Sequence, residues 1–117
     1  MTVQIKIKLG LRDAADRPFM GIGTAWLLRG VEKAGSLSLA ARDMEMSYSK
    51  AHKLVKTLEE ELGLPVLASS RGGSSRGGSA LTPAGRKFLE RFERLDAAIK
   101  KQAEKLLEIA FPGGRIK

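Results

Sequence analysis

The stretch from Ser47 to Lys56 gathers the side chains best able to do chemistry: Ser47, Tyr48, Ser49, Lys50, His52, Lys53 and Lys56. A lysine can donate to guanine O6 and N7, and serine or tyrosine can reach base edges or phosphate oxygens. Lys56 lies further along and suits a backbone phosphate better than a base. Further on, Arg71-Gly72-Gly73-Ser74 is followed by Arg76-Gly77-Gly78-Ser79, a local repeat that puts two guanidinium groups on a glycine- and serine-rich tip. Arg71 and Arg76 there suit phosphates or a minor groove. Catalysis is not expected. His52 is the single histidine and has no acid or second histidine at ligand spacing. No paired acids, nucleophile–base pair or metal-ligand cluster stands out, so neither a metal nor a cofactor is expected. A phosphate-binding GxxxxGK[ST] loop is also missing. His52 reads as an exposed side chain first and a partly buried helix residue second.

Two helices and a turn must hold these groups. Ser36 can cap a first helix in which Leu37, Leu39, Ala40, Ala41 and Met44 form the buried side. Met46 fills the turn and Ser47 caps a second helix, where Ala51, Leu54, Val55, Leu58 and Leu62 recur at helical spacing. Lys50, Lys53 and Lys56 point away from that stripe. The pattern is that of a helix-turn-helix with a basic outer face. The backbone N–H groups around Ser36 to Leu39 and Ser47 to Lys50 are natural phosphate sites.

The other elements frame this unit. Val3, Ile5, Ile7, Leu9 and Leu11 alternate with polar residues or glycine, which predicts an N-terminal strand. Residues 12–21 read as a loop and 22–34 as a helix with little polar face. Trp26 in that helix reads as a core or interface residue rather than a base-stacking one. Val66 to Ala68 and Ala80 to Leu81 predict two short strands flanking the arginine-bearing tip, a wing. A plain hairpin loop and a disordered Arg-Gly-Gly segment are the competing readings. Thr82 and Pro83 open a long helix. In it Phe88, Phe92, Leu95, Ile99, Leu106 and Ile109 follow alternating spacings of four and three, broken by Gln102. A seam of that length predicts pairing with a second copy. The fold expected is mainly α: a winged helix-turn-helix with an N-terminal strand, a two-stranded wing and a long C-terminal dimerisation helix. Residues 1–82 would form the winged unit, 83–111 the long helix and 112–117 a flexible tail.

Composition agrees. The chain has 117 residues, a formal net charge of +8 and no cysteine. That bounds one domain without disulfides and favours a polyanionic partner. No acid occurs between Glu61 and Glu90, and Glu59 to Glu61 close a helix whose first half carries the lysines. This clustering favours nucleic acid over a membrane surface. No apolar run reaches the roughly 20 residues of a membrane helix, and the N-terminus lacks a signal-peptide core.

The segments Gly35-Ser36-Leu37-Ser38-Leu39-Ala40-Ala41, Met46-Ser47-Tyr48-Ser49-Lys50-Ala51 and Leu81-Thr82-Pro83-Ala84-Gly85-Arg86 resemble the N-terminal DNA-binding domain of ModE, the molybdate-responsive regulator. Leu58-Glu59-Glu60-Glu61-Leu62-Gly63-Leu64-Pro65 is closer to the related LysR-type regulators. The resemblance covers nearly the whole chain. It implies a dimeric transcription regulator on double-stranded DNA, in the cytoplasm of a bacterium or archaeon at the nucleoid. It also implies phosphate contacts at Ser38, Arg71 and Arg76. The sequence stops where the molybdate-binding domains of ModE would begin and offers no oxyanion pocket. Direct molybdate binding is therefore not expected, and a separate effector-binding protein is a possible partner. Two other readings stay open: a nucleoid protein binding DNA through charge alone, and a dimeric protein-interaction adaptor.

Overall fold

Residues 22–34 have a broad apolar surface, and the computed structural model packs one side of this helix into the core. It describes residues 2–69 and 78–117. Helix α1 (Ile22–Ala34) buries Thr24, Ala25, Leu27, Leu28 and Val31. Gly35 ends it with φ 81°, its N–H donating to the Val31 carbonyl at 2.8 Å. A left-handed cap of this kind favours glycine, which has no Cβ to clash. Helices α2 (Leu37–Asp43) and α3 (Tyr48–Leu62) follow, and α4 (Pro83–Ala110) runs for 28 residues. Leu27, Leu28, Leu58 and Leu89 are completely buried where α1, α3 and α4 meet. Each such side chain contributes about 1.5–3 kcal/mol relative to exposure.

Of the two expectations for Trp26, core or interface, the structure excludes the core. Trp26 is 62% exposed on the outer side of α1, so the core contains no tryptophan.

Two short antiparallel pairs complete the fold. Strand β1 (Gly10–Arg12) pairs with β2 (Pro18–Gly21), setting Leu11 opposite Met20. The turn between them is held by Asp13, whose carboxylate accepts the Ala15 and Arg17 N–H groups at 2.8 and 3.0 Å. The long N-terminal strand is therefore corrected to residues 10–12, with its partner in the stretch read as a loop. Residues 3–9 belong to no strand. The alternation is only partly reflected in burial: Val3, Ile7 and Leu9 are half-buried, whereas Ile5 is exposed like Gln4, Lys6 and Lys8. Residues 5–7 lie beside Lys100, Ala103 and Glu104 of α4.

The wing strands are present. β3 (Leu67–Ser69) pairs with β4 (Ser79–Leu81) in the register Leu67↔Leu81, Ala68↔Ala80 and Ser69↔Ser79. Ser79 N–H donates to the Gly35 carbonyl at 2.9 Å, which ties the wing to the corner between α1 and α2.

Thr82 links the wing to α4. Its hydroxyl donates to the Pro65 carbonyl at 2.7 Å and accepts the Gly85 N–H at 3.0 Å. The first half of α4 then packs Leu89 and Phe92 into the core. Across the same junction the Arg29 guanidinium donates to Glu93 at 2.9 Å and to Glu32 at 2.6 Å, and Arg86 pairs with Glu32. The hydrogen bond from Arg29 holds the Glu93 carboxyl below its ordinary range, and Glu93, followed by Glu32, pushes Arg29 further up. Beyond α4, Pro112–Gly114 forms a single 3-10 turn. The expected loose tail is docked instead: the Gly114 carbonyl accepts the Val3 N–H at 2.8 Å, and Arg115 bridges to Thr2.

Candidate nucleic-acid interface

Ser36 Oγ accepts the Leu39 N–H at 3.0 Å, and α2 buries Leu37, Ala40 and Ala41 against the core. Leu39, expected on the buried side, is 38% exposed. The helix is short, and only one stripe of it can face α1. That contact is close, because a Cβ at Gly30 would stand 3.0 Å from the Ala40 Cβ. The turn reverses tightly at Glu45, which has φ 54°, and the Met46 N–H donates back to Ala41 at 2.9 Å. Met46 is half-buried and packs on the core, as its place in the turn requires.

Ser47 Oγ then accepts the Lys50 N–H at 3.1 Å and starts α3. Ala51, Val55 and Leu58 hold this helix to the core. At 100° per residue the opposite side is Ser49, Lys53, Lys56 and Glu60, and all four are exposed. Lys50 lies on one flank, beside a groove whose wall includes Phe19 and Met46. Tyr48 and His52 lie on the other, their rings stacked with centroids 6.0 Å apart. His52 thus has an aromatic neighbour. Among the described residues no group of three His, Asp or Glu side chains is arranged to hold a metal.

The acids at the end of α3 are partly turned away from this face. The Glu59 carboxylate accepts the Val66 N–H at 2.8 Å, leaving Glu60 and Glu61 exposed at the far end. The outward face is therefore cationic over its first half.

Not every expected residue serves this surface in the same way. The hydroxyls of Ser36 and Ser47 are committed to their helix caps, and Ser36 is only 9% exposed. These two serines position the helices and offer backbone N–H groups rather than side chains. Ser38 is exposed on α2, and Arg42 is exposed one turn later on the same helix side. Sequence reasoning passed over Arg42, although its spacing of four from Ser38 was a usable signal. Arg71 and Arg76 lie outside the described residues.

On α4 the expected seam divides in two. Phe92 is 2% exposed, sealed in the core of this chain, and Phe88 is half-buried against that core. Leu95, Leu106 and Ile109 are 43%, 56% and 76% exposed, and Ile99 is half-buried between them.

Comparison with known proteins agrees with this geometry. Residues 27–86 match the family described as bacterial regulatory helix-turn-helix protein, lysR family. The chain is 35% identical over 82 residues to the molybdenum-pterin-binding protein MopB of Rhodobacter capsulatus, covering 70% of this chain and 30% of that protein. It is 30% identical over 94 residues to the molybdenum transport protein ModE of Azotobacter vinelandii, covering 77% and 34%. It thus spans about a third of the length of these relatives. Among solved structures, the DNA-binding domain of CbnR in complex with DNA superposes with a TM-score of 0.61 and 26% identity, over 78% of this chain and 99% of that one. The matched segment runs from the core of α1 through the helix-turn-helix to the first turn of α4, and the chain belongs to the lysR family of bacterial regulatory helix-turn-helix proteins.

Proposed function

We propose that this chain binds double-stranded DNA sequence-specifically, as a dimer, and regulates transcription in the manner of ModE. The observation that carries this reading is the outward face of α3, where Ser49, Lys53 and Lys56 stand exposed on a helix fixed from behind by Ala51, Val55 and Leu58. A helix anchored in this way can lie in a major groove about 12 Å wide and present its N-terminal half to base edges. Ser49, Lys50 and Lys53 read bases, with Tyr48 and His52 as a flanking pair. Lys56, Ser38 and Arg42 meet phosphates, as do Arg71 and Arg76 from the wing.

The dimer forms through the outer stripe of α4, at Leu95, Ile99, Leu106 and Ile109. Exposed apolar side chains at coiled-coil spacing gain from pairing with the same stripe of a second copy. A two-fold dimer would set its two α3 helices in successive major grooves, so the operator would consist of two related half-sites.

Selection of duplexes from a random pool by the purified protein, with and without molybdate, tests this function. Enrichment of paired half-sites about 34–36 Å apart supports it. Retention without enrichment moves the function to charge-driven, non-specific binding. Absence of retention leaves an adaptor.

A further inference from the structure

Residues 3–9 form an extended segment anchored at both ends. At its start the Val3 N–H donates to Gly114 at 2.8 Å, and at its end it runs into β1. Ile5, Lys6 and Ile7 lie beside Lys100, Ala103 and Glu104 of α4, and Ala103 is only 7% exposed there. Among the described residues, the backbone groups of Gln4 to Lys8 make no hydrogen bond to other backbone or side-chain groups. A row of unpaired N–H and C=O groups on a fixed, extended segment is a template for another strand.

We propose that this segment pairs antiparallel with the same segment of a second copy, forming a two-stranded ribbon across the dimer axis. The inference rests on the dimer proposed above. Two features select a second copy as the occupant. The first is position. Ala103 follows Ile99 by four residues and precedes Leu106 by three, so the segment borders the exposed stripe of α4. The second is self-complementarity. In a two-fold antiparallel pair, residues facing each other share a face, and like charges placed opposite one another destabilise it. Registers centred on Lys6, Ile7 or Lys8 set lysine against lysine. A register centred on Ile5 pairs Gln4 with Lys6 and Val3 with Ile7, and gives the longest overlap without that clash.

The chain has no cysteine, so single introduced thiols report the pairing without background. Directly opposed residues have Cβ atoms about 4.5–5.5 Å apart, within reach of a disulfide after small adjustment. Mild oxidation of I5C in the 117-residue chain is expected to give a covalent dimer, whereas K8C, which would face Thr2, gives none. Mixing Q4C with K6C is expected to give a covalent heterodimer that neither variant forms alone. Both of those positions are exposed, so this second test does not depend on tolerance at Ile5. Sedimentation of the wild-type protein separates the two levels of the reading. A dimer in which neither I5C nor the mixture cross-links overturns the ribbon and keeps the dimer. Equal cross-linking of I5C and K8C shows random collision and also overturns it. A wild-type monomer at micromolar concentration overturns both.

Discussion

Gly85 lies directly against Val66: a Cβ added at Gly85 would overlap the Val66 carbonyl oxygen and stand 2.9 Å from its Cα. The obstacle is backbone, so no rotamer change relieves it. In the same place the Thr82 N–H donates to the Val66 carbonyl at 3.0 Å, and Val66 itself is completely buried. Gly85→Ala removes a helical glycine, which in open surroundings gains about 1 kcal/mol. Here the forced separation of α4 from β3 is expected to dominate, with a net loss of about 1–3 kcal/mol. Urea unfolding checks this, and a variant as stable as wild type would show that the junction can open without cost.

Glu93 couples α4 to α1 through Arg29, and the sign of its pH effect is fixed. Its folded-state pKa lies below the ordinary 4.5 because the Arg29 hydrogen bond favours the carboxylate. The stabilisation is thus present above 4.5 and is lost as pH falls through the lower folded value. Glu93 and Arg29 are both more than a third exposed, so solvent screening limits the effect to about 1 kcal/mol or less. Thermal unfolding of E93Q is expected to show a small loss at neutral pH and a shallower acid limb than wild type. Parallel acid limbs would place the acid sensitivity elsewhere.

Variants at Lys53 and Arg42 are expected to separate base reading from phosphate binding. Lys53 stands opposite the core-facing stripe of α3, and Lys53→Ala is expected to cost about 1–3 kcal/mol on a selected operator and little on random duplex. Arg42→Ala is expected to weaken both duplexes alike and to reduce the salt slope by about 0.9. Titrations on both duplexes at several salt concentrations check this pair. A Lys53→Ala loss equal on both would remove that side chain from base reading.

The elements legible in the sequence are those fixed by local chemistry. Ser36, Ser47, Thr82 and Gly35 marked helix ends because caps act within a few residues, and the ends of α1, α2 and α3 lie where those residues place them. Tertiary choices were less legible. Alternation from Val3 to Leu11 reports one covered side, which a helix can cover as well as a sheet. Phe92 and Leu95 fit a single heptad stripe, but they are three residues apart and lie on diverging sides of α4. The core took Phe92 and left Leu95 at 43% exposure. For the candidate interface, the basic face of α3 was readable from spacing alone. The burial of Ser36 depends on how α2 seats against α1, which spacing does not encode.

That division of α4 separates two kinds of variant. Leu95→Asp and Leu106→Asp place a charge on the exposed stripe and are expected to give folded monomers with weakened operator binding, since dimerisation would bury that charge unpaired. Phe92→Asp buries it within the protomer and is expected to abolish folding. Circular dichroism and sedimentation distinguish the outcomes, and a dimeric Leu106→Asp would move the interface off this stripe.

Trp26 offers an optical test of the proposed association. It is the single tryptophan and is 62% exposed on α1, three residues before the Arg29 that binds Glu93 of α4. A large exposed aromatic one turn from a residue that contacts α4 would suit as an anchor of the proposed interface, because burying it removes about 150–250 Å² of mostly apolar surface from water. Its emission is expected to shift to shorter wavelength as the wild-type protein is concentrated through its dimerisation range. In Leu106→Asp it should stay at the long-wavelength value of an exposed indole. A dimer by sedimentation with unchanged emission would place Trp26 outside the interface and leave the outer stripe of α4 to hold the two copies without it.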